Sequence, residues 1–152
     1  MYMSAGSQAF APTPVSQSIF AFNFNAGSGL LQQSSGGVAL PVQNQESVLA
    51  ITPKGTFLYA VDNTNMYVFA IGAGGALLPI SGSPFPFAHV FNPTSRAFQI
   101  DNTGQFLYLA VTDINAVFGF KLDPNTGSFT PIPGSPFPIG ATPQTMAVVR
   151  TP

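Results

Sequence analysis

Charge is the scarcest feature of this chain. Asp, Glu, Lys and Arg make up 6% of its 152 residues, where soluble domains carry about 25%. The four cations Lys54, Arg96, Lys121 and Arg150 are scattered. A nucleic-acid or anionic-membrane surface needs clustered Lys and Arg, so no nucleic acid and no membrane is expected as a partner. Cysteine is absent, which excludes disulfides and thiolate metal sites and leaves the compartment open. A single histidine, His89, makes no multi-imidazole metal site within one chain, and there is no Gly-x-Ser-x-Gly elbow for a nucleophilic serine. No metal and no cofactor is expected. No apolar run approaches the ~18–20 residues of a membrane span, and the N-terminus lacks the basic and apolar regions of a signal peptide.

What the chain does contain is apolar and turn-rich. Apolar residues are 45%, with 15 Phe, 15 Gly and 15 Pro. Disordered chains are poor in aromatics and rich in charge, so this is a folding sequence. Prolines and glycines recur too often for a long helix, and short strands with many turns fit instead.

Gly104-Gln105-Phe106-Leu107-Tyr108 has a near copy in Gly55-Thr56-Phe57-Leu58-Tyr59, and the two tyrosines are 49 residues apart. A period of this size means a repeat architecture. Four strand-like segments, a to d, recur in one order. Segment a is Val48-Leu49-Ala50-Ile51, then Ala97-Phe98-Gln99-Ile100, then Ala147-Val148-Val149. Segment b is the Gly-x-Phe-Leu-Tyr stretch, with Met1-Tyr2-Met3 as its first copy. Segment c is Ser18 to Phe24, Met66 to Ile71 and Ala116 to Leu122, and in the first of these Phe20, Phe22 and Phe24 alternate at strand period. Segment d is Leu30-Leu31-Gln32, Ala76-Leu77-Leu78-Pro79-Ile80 and Ser128-Phe129-Thr130-Pro131-Ile132; its prolines cannot donate to a ladder, so d is an outer edge strand. After d come Gly82-Ser83-Pro84-Phe85-Pro86 and Gly134-Ser135-Pro136-Phe137-Pro138, with a degenerate Ser35-Gly36-Gly37-Val38 in the first repeat.

Four antiparallel strands per ~50 residues, with a, b and c apolar on both faces, describe a β-propeller blade. The alternative all-β arrangement is a two-sheet sandwich, which does not require the same four-strand order to recur. The expected layout is one propeller segment over 1–152: strands b-c-d over 1–40, a blade over 41–83, a blade over 84–136, and a closing a strand within 137–152. That is three blades per chain, cut within one hairpin turn. Three blades do not close, since propellers have about four to eight. The expected partner is therefore a second copy: a homodimer closing a six-bladed ring by strand exchange, in which Arg150 stands where Ile51 and Ile100 stand and makes an interface ion pair. The other reading is a piece of a longer gene.

These residues resemble the YVTN-repeat, or lactonase-type, β-propeller family: Gly-x-Phe-Leu-Tyr at 55–59 and 104–108, Asp123-Pro124-Asn125-Thr126-Gly127, and Gly-Ser-Pro-Phe at 82–85 and 134–137. The resemblance implies a propeller similar to the seven-bladed single chains of 6-phosphogluconolactonases, which hydrolyse a sugar lactone. Others in the family are surface or periplasmic propellers with no assigned reaction, which implies an extracytoplasmic location.

Candidate chemistry gathers on loops. His89 lies between d and a, where it is either a general base or a loop side chain packed among Phe87, Val90 and Phe91. Asp101 and Asp123 sit in turns, where Asp bonds its own backbone. Asp62 and Asp113 end b strands with Asn65 and Asn115 nearby, and these four are the binding candidates. Glu46 precedes an a strand and Arg96 opens another. A lactonase needs a base or activated water and a cation for the developing oxyanion, which His89 or Glu46 with Arg96 supplies. A phosphosugar calls for several converging cations, and Arg96 alone is so placed. The first reading is therefore a non-catalytic binding or scaffold propeller with a small-molecule or sugar ligand, and the second a lactone hydrolase.

Overall fold

The computed structural model describes residues 1–6, 17–34, 38–40, 48–62, 64–87 and 96–149, with the backbone alone described at 2–6, 17, 38–40 and 96. The described residues form three antiparallel sheets, and a single turn of 3-10 helix at Ala73–Gly75. The first sheet runs β1 (Tyr2–Gly6), β2 (Gln17–Phe24) and β3 (Leu31–Gln33), with β4 (Val38–Leu40) also on β2. The second runs β5 (Val48–Ile51), β6 (Phe57–Val61), β7 (Asn65–Ile71) and β8 (Leu77–Pro79), with β9 (Phe85–Pro86) also on β7. The third repeats the second: β10 (Arg96–Ile100), β11 (Phe106–Val111), β12 (Ala116–Leu122) and β13 (Phe129–Pro131), with β14 (Phe137–Pro138) on β12. Three sheets of one connectivity exclude the two-sheet sandwich.

Each inner hairpin closes through a side chain that stands in for a backbone acceptor. Thr52 Oγ1 accepts from the amides of Thr56 (3.1 Å) and Phe57 (3.0 Å). Asp101 Oδ1 takes the same place one repeat later, accepting from Gln105 (2.9 Å) and Phe106 (2.9 Å). Burial alone would raise the Asp101 pKa, but the hydrogen bonds from Thr103, Phe106 and Gln105 outweigh it and hold the carboxyl below its ordinary value.

The period-2 alternation sorts each strand onto two faces. Phe57, Tyr59 and Val61 of β6, with Met66 and Val68 of β7, pack against Phe98, Leu107, Leu109, Val111, Phe120 and Leu122 of the third sheet. The intervening Leu58, Ala60, Tyr67 and Phe69 pack against Ile19 of the first sheet. The middle sheet is thus covered on both sides, and β6 is buried at every position. On the first sheet Phe20 and Phe22 are half-buried and Phe24 is exposed; on the third, Phe106, Tyr108 and Val117 are half-buried.

Two expectations from the sequence are corrected. The outer strand is not one strand followed by a loop motif. β8 pairs with the end of β7 and β9 with its beginning, so the Gly-Ser-Pro-Phe motif lies inside the sheet, and the unit boundaries drawn after 83 and 136 fall too early. Where the strand leaves the ladder, Ser83 Oγ accepts the amide of Val68 (3.0 Å), and Ser135 Oγ accepts that of Gly119 (3.0 Å). Gly82 and Gly134 take φ of 85° and 86° there, a conformation open to glycine at little cost. Residues 146–149, expected as a closing strand, form no strand; Val148 N donates instead to Gln99 Oε1 (3.3 Å). Alanine removes the acceptor of a ladder amide, so Ser83→Ala and Ser135→Ala should each cost about 1–3 kcal/mol. Urea unfolding checks this, with Ser81→Ala, at an exposed position, staying within about 0.5 kcal/mol.

Candidate functional site

The register fixes which loops share an end of the sheets. Val48 lies opposite Val61, and Arg96 opposite Val111. Asn65 lies opposite Pro86, and Ala116 opposite Pro138. The connections after β6 and β11, the starts of β5 and β10, and the ends of β9 and β14 therefore meet at one end. There the amide of Phe87 donates to the carbonyl of Thr64 (2.7 Å).

Within that end the two homologous loops differ. Asp62 is 3% exposed, and its carboxylate is committed to its own loop. Oδ1 accepts from the amides of Thr64 and Asn65, both at 2.6 Å, and from Thr64 Oγ1 at 3.2 Å. Oδ2 accepts from the Tyr67 hydroxyl at 3.0 Å. Burial, then the adjacent Asp62 charge and its hydrogen bond, push the Tyr67 phenol well above its ordinary pKa against a smaller opposing effect from Asn65. The Asn65 amide nitrogen donates to Thr64 Oγ1 (2.7 Å). Two of the four binding candidates, Asp62 and Asn65, thus hold the loop itself together. The other loop presents its polar groups outward: Asp113 and Asn115 are exposed. Asn115 has φ of 49°, which asparagine tolerates better than most residues, and its carbonyl accepts from Ile139 N (3.0 Å). Thr112 Oγ1 donates to Asp113 Oδ1 (3.3 Å).

Arg96 opens β10 opposite Val111, the last residue of β11, and Asp113 follows Val111 by two residues in the chain. Lys54 and Lys121 lie toward the opposite end, in the turn before β6 and late in β12. Glu46, His89 and Arg150 lie outside the described residues.

The sequence reading missed a cavity of about 390 Å³ between the outer parts of the second and third sheets, lined by Phe85, Phe87, Phe118, Phe120 and Phe129 with Ser135. Phe129 meets Phe85 and Phe120 edge-on, at centroid distances of 5.0 and 5.3 Å. Both Phe-containing motifs were visible in the sequence, but their convergence depends on the outer strand's re-entry at β9. Among the described residues the lining carries no titratable group, so this face suits an apolar moiety.

Residues 2–142 match the family model described as lactonase, 7-bladed beta-propeller. The chain is 28% identical over 150 residues to a 6-phosphogluconolactonase of Pectobacterium carotovorum, covering 93% of this chain and 42% of that relative. It thus spans about two fifths of the length of the curated relative. Among solved structures, a Bacteroides fragilis protein aligns with a TM-score of 0.66 at 22% identity, over 86% of this chain and 37% of that one. The periplasmic gluconolactonase of Pseudomonas aeruginosa aligns with a TM-score of 0.59 at 20% identity, over 84% of this chain and 35% of the other. At these identities the two structures bear on the fold alone.

Proposed function

The chain belongs to the lactonase, 7-bladed beta-propeller family, and from that premise we propose that it acts as a sugar-lactone hydrolase. The match over nearly the whole chain, to a family with relatives named for this activity, carries the reading. It reverses the order of preference that the sequence alone suggested. In this reading His89 or Glu46 is the base that activates water, and Arg96 holds the oxyanion that develops at the lactone carbonyl. Asp113 and Asn115, exposed at the same end of the sheets as the start of β10, contact sugar hydroxyls. Lys54 and Lys121 are too far toward the other end to join Arg96 around a phosphate, which favours a lactone without one. The extracytoplasmic location implied by the sequence resemblance is part of the same proposal.

The test is hydrolysis of glucono-δ-lactone and of its 6-phosphate, followed by acid release at constant pH. The expected result is turnover above background on the unphosphorylated lactone, with about 10²–10⁴-fold loss in His89→Ala and a comparable loss in Arg96→Ala. A wild-type rate equal to the uncatalysed one leaves the second reading, a non-catalytic binding propeller. The self-contained bonding of Asp62 and Asn65 is the observation on its side.

A further inference from the structure

Two neighbouring sheet contacts are built on one register, yet they are not filled alike. Tyr59 lies opposite Val68 and Tyr108 opposite Gly119, which makes Tyr67 and Phe69 the counterparts of Phe118 and Phe120. Leu77 lies opposite Ile71 as Phe129 lies opposite Leu122. Against the first sheet, Tyr67, Phe69 and Leu77 are 3%, 4% and 7% exposed and pack with Ile19. Against the second sheet, Phe118 and Phe129 are only half-buried, and the cavity of about 390 Å³ lies before them. The facing strands differ as well. Phe85 lies opposite Met66 where, one repeat earlier, Val38 lies opposite Ile19. The aromatic cavity is thus a property of this one contact and not of the repeat, and both of its walls belong to adjacent sheets of this chain.

Its chemistry narrows what it can hold. Phe118 and Phe120 are parallel within 8° at a centroid distance of 6.4 Å, while Phe129 stands edge-on to both Phe85 and Phe120. Such walls offer ring faces and ring edges, which a planar aromatic guest meets in offset-stacked and T-shaped contacts that an aliphatic chain does not make. With no charged group on the described lining, an ionised guest would lose its hydration and gain no counter-charge. The polar side chain among the described lining residues is Ser135. Its oxygen accepts the Gly119 amide (3.0 Å), and no described residue takes its proton, so the hydroxyl can donate to a guest. The volume falls within the roughly 300–1,000 Å³ of small-molecule sites. An apolar cavity of about 150 Å³ holds benzene, so this one has room for about two fused rings.

We propose that the cavity binds an uncharged planar aromatic compound of about two fused rings, held between the phenylalanines and oriented by the Ser135 hydroxyl donating to an acceptor on the guest. None of these residues is a candidate base or cation for lactone hydrolysis, so the site stands or falls apart from that reading.

The probe is 6-propionyl-2-dimethylaminonaphthalene, an uncharged fused-ring ketone whose emission moves to the blue when it leaves water. The chain has no tryptophan, so the probe is read free of that background. On the full chain the blue shift should saturate at an equimolar ratio. Pro131→Trp places an indole in the cavity from an exposed edge position and should abolish the shift. Phe118→Trp fills it from the neighbouring strand and should do the same. Thr130→Trp, beside Pro131 but exposed and outside the lining, should leave binding unchanged. Ser135→Ala should weaken the ketone about tenfold and leave 2-dimethylaminonaphthalene, which lacks the ketone, as it was. That second ligand separates a lost hydrogen bond from a cavity reshaped by loss of the Gly119 contact, and circular dichroism verifies that each variant is folded. A shift that never saturates, folded cavity-filling variants that bind like wild type, or equal weakening of both ligands in Ser135→Ala overturns the proposal.

Discussion

Gly127→Ala should lower stability by about 3–6 kcal/mol, which is much of the ~5–15 kcal/mol that a domain has. Three effects add. Gly127 has φ of 74°, where an L side chain costs about 1–2 kcal/mol. Its new Cβ would stand 2.5, 2.7 and 3.1 Å from three atoms of the Phe57 ring, and forcing a methyl into a packed contact costs about 1–3 kcal/mol. Moving the turn away to relieve that clash stretches the bond from Tyr59 to the Gly127 carbonyl, which is buried and worth about 1 kcal/mol. The hydroxyl is a dependable donor, because burial and the nearby Asp123 push its pKa up and keep it protonated. Gly29→Ala is the internal control. Its φ is 73° and its surroundings are open, so only the conformational cost of about 1–2 kcal/mol remains. Urea unfolding with an unchanged slope gives both values. Equal losses at the two glycines would mean that the Phe57 contact carries no weight.

That comparison shows what the sequence could and could not convey. The 49-residue spacing of Tyr59 and Tyr108 and the shared strand order were enough for three sheets of one connectivity, because periodic burial leaves a periodic record. The alternation of Phe57, Tyr59 and Val61 with Leu58 and Ala60 likewise foretold two covered faces. The break in the outer strand was not legible. Pro79 and the following glycine read as the end of a strand, and only the ladder of β7 shows that Phe85 pairs again on the far side of Ser83. Gly82-Ser83 does carry the signal in retrospect: a residue free to take positive φ, then a hydroxyl able to replace a carbonyl. The strand expected at 146–149 failed for a different reason. Strand propensity does not make a strand without ladder bonds to a partner strand, and among the described residues no strand pairs with 146–149; the bond of Val148 goes to a side chain instead. Candidate chemistry was the least legible, because a polar residue on a loop reads the same whether it faces a ligand or its own backbone. Asp62-Asn63-Thr64-Asn65 is such a case. An aspartate followed by amides two and three residues on is an Asx-turn pattern, and that pattern outweighs its position beside the loop cluster.

Asp62→Ala should therefore act on stability and not on chemistry. The carboxylate satisfies two amides and a phenol, at 2.6, 2.6 and 3.0 Å, and more weakly the Thr64 hydroxyl at 3.2 Å. Alanine leaves the three closer donors without that acceptor, beside a residue that is itself buried. At about 1–3 kcal/mol per orphaned group, with some relief from entering water, the loss should be about 3–5 kcal/mol. Asp62→Asn keeps an oxygen for the two amides and should cost about 1 kcal/mol. The pH profile adds a second readout. The folded state holds the Tyr67 pKa above its ordinary value near 10, so the unfolded chain loses this proton first as pH rises. The resulting stability is fully present below pH ~10 and drains away above it. Removing the Asp62 charge lowers the folded pKa toward the unfolded one, so the alkaline fall in Asp62→Ala should be shallower even though the protein is weaker at neutral pH. Unfolding curves from neutral pH to about 11 measure both effects. Wild-type stability together with a lost lactonase rate in this variant would instead place Asp62 on a substrate, and the self-contained loop would be the wrong description.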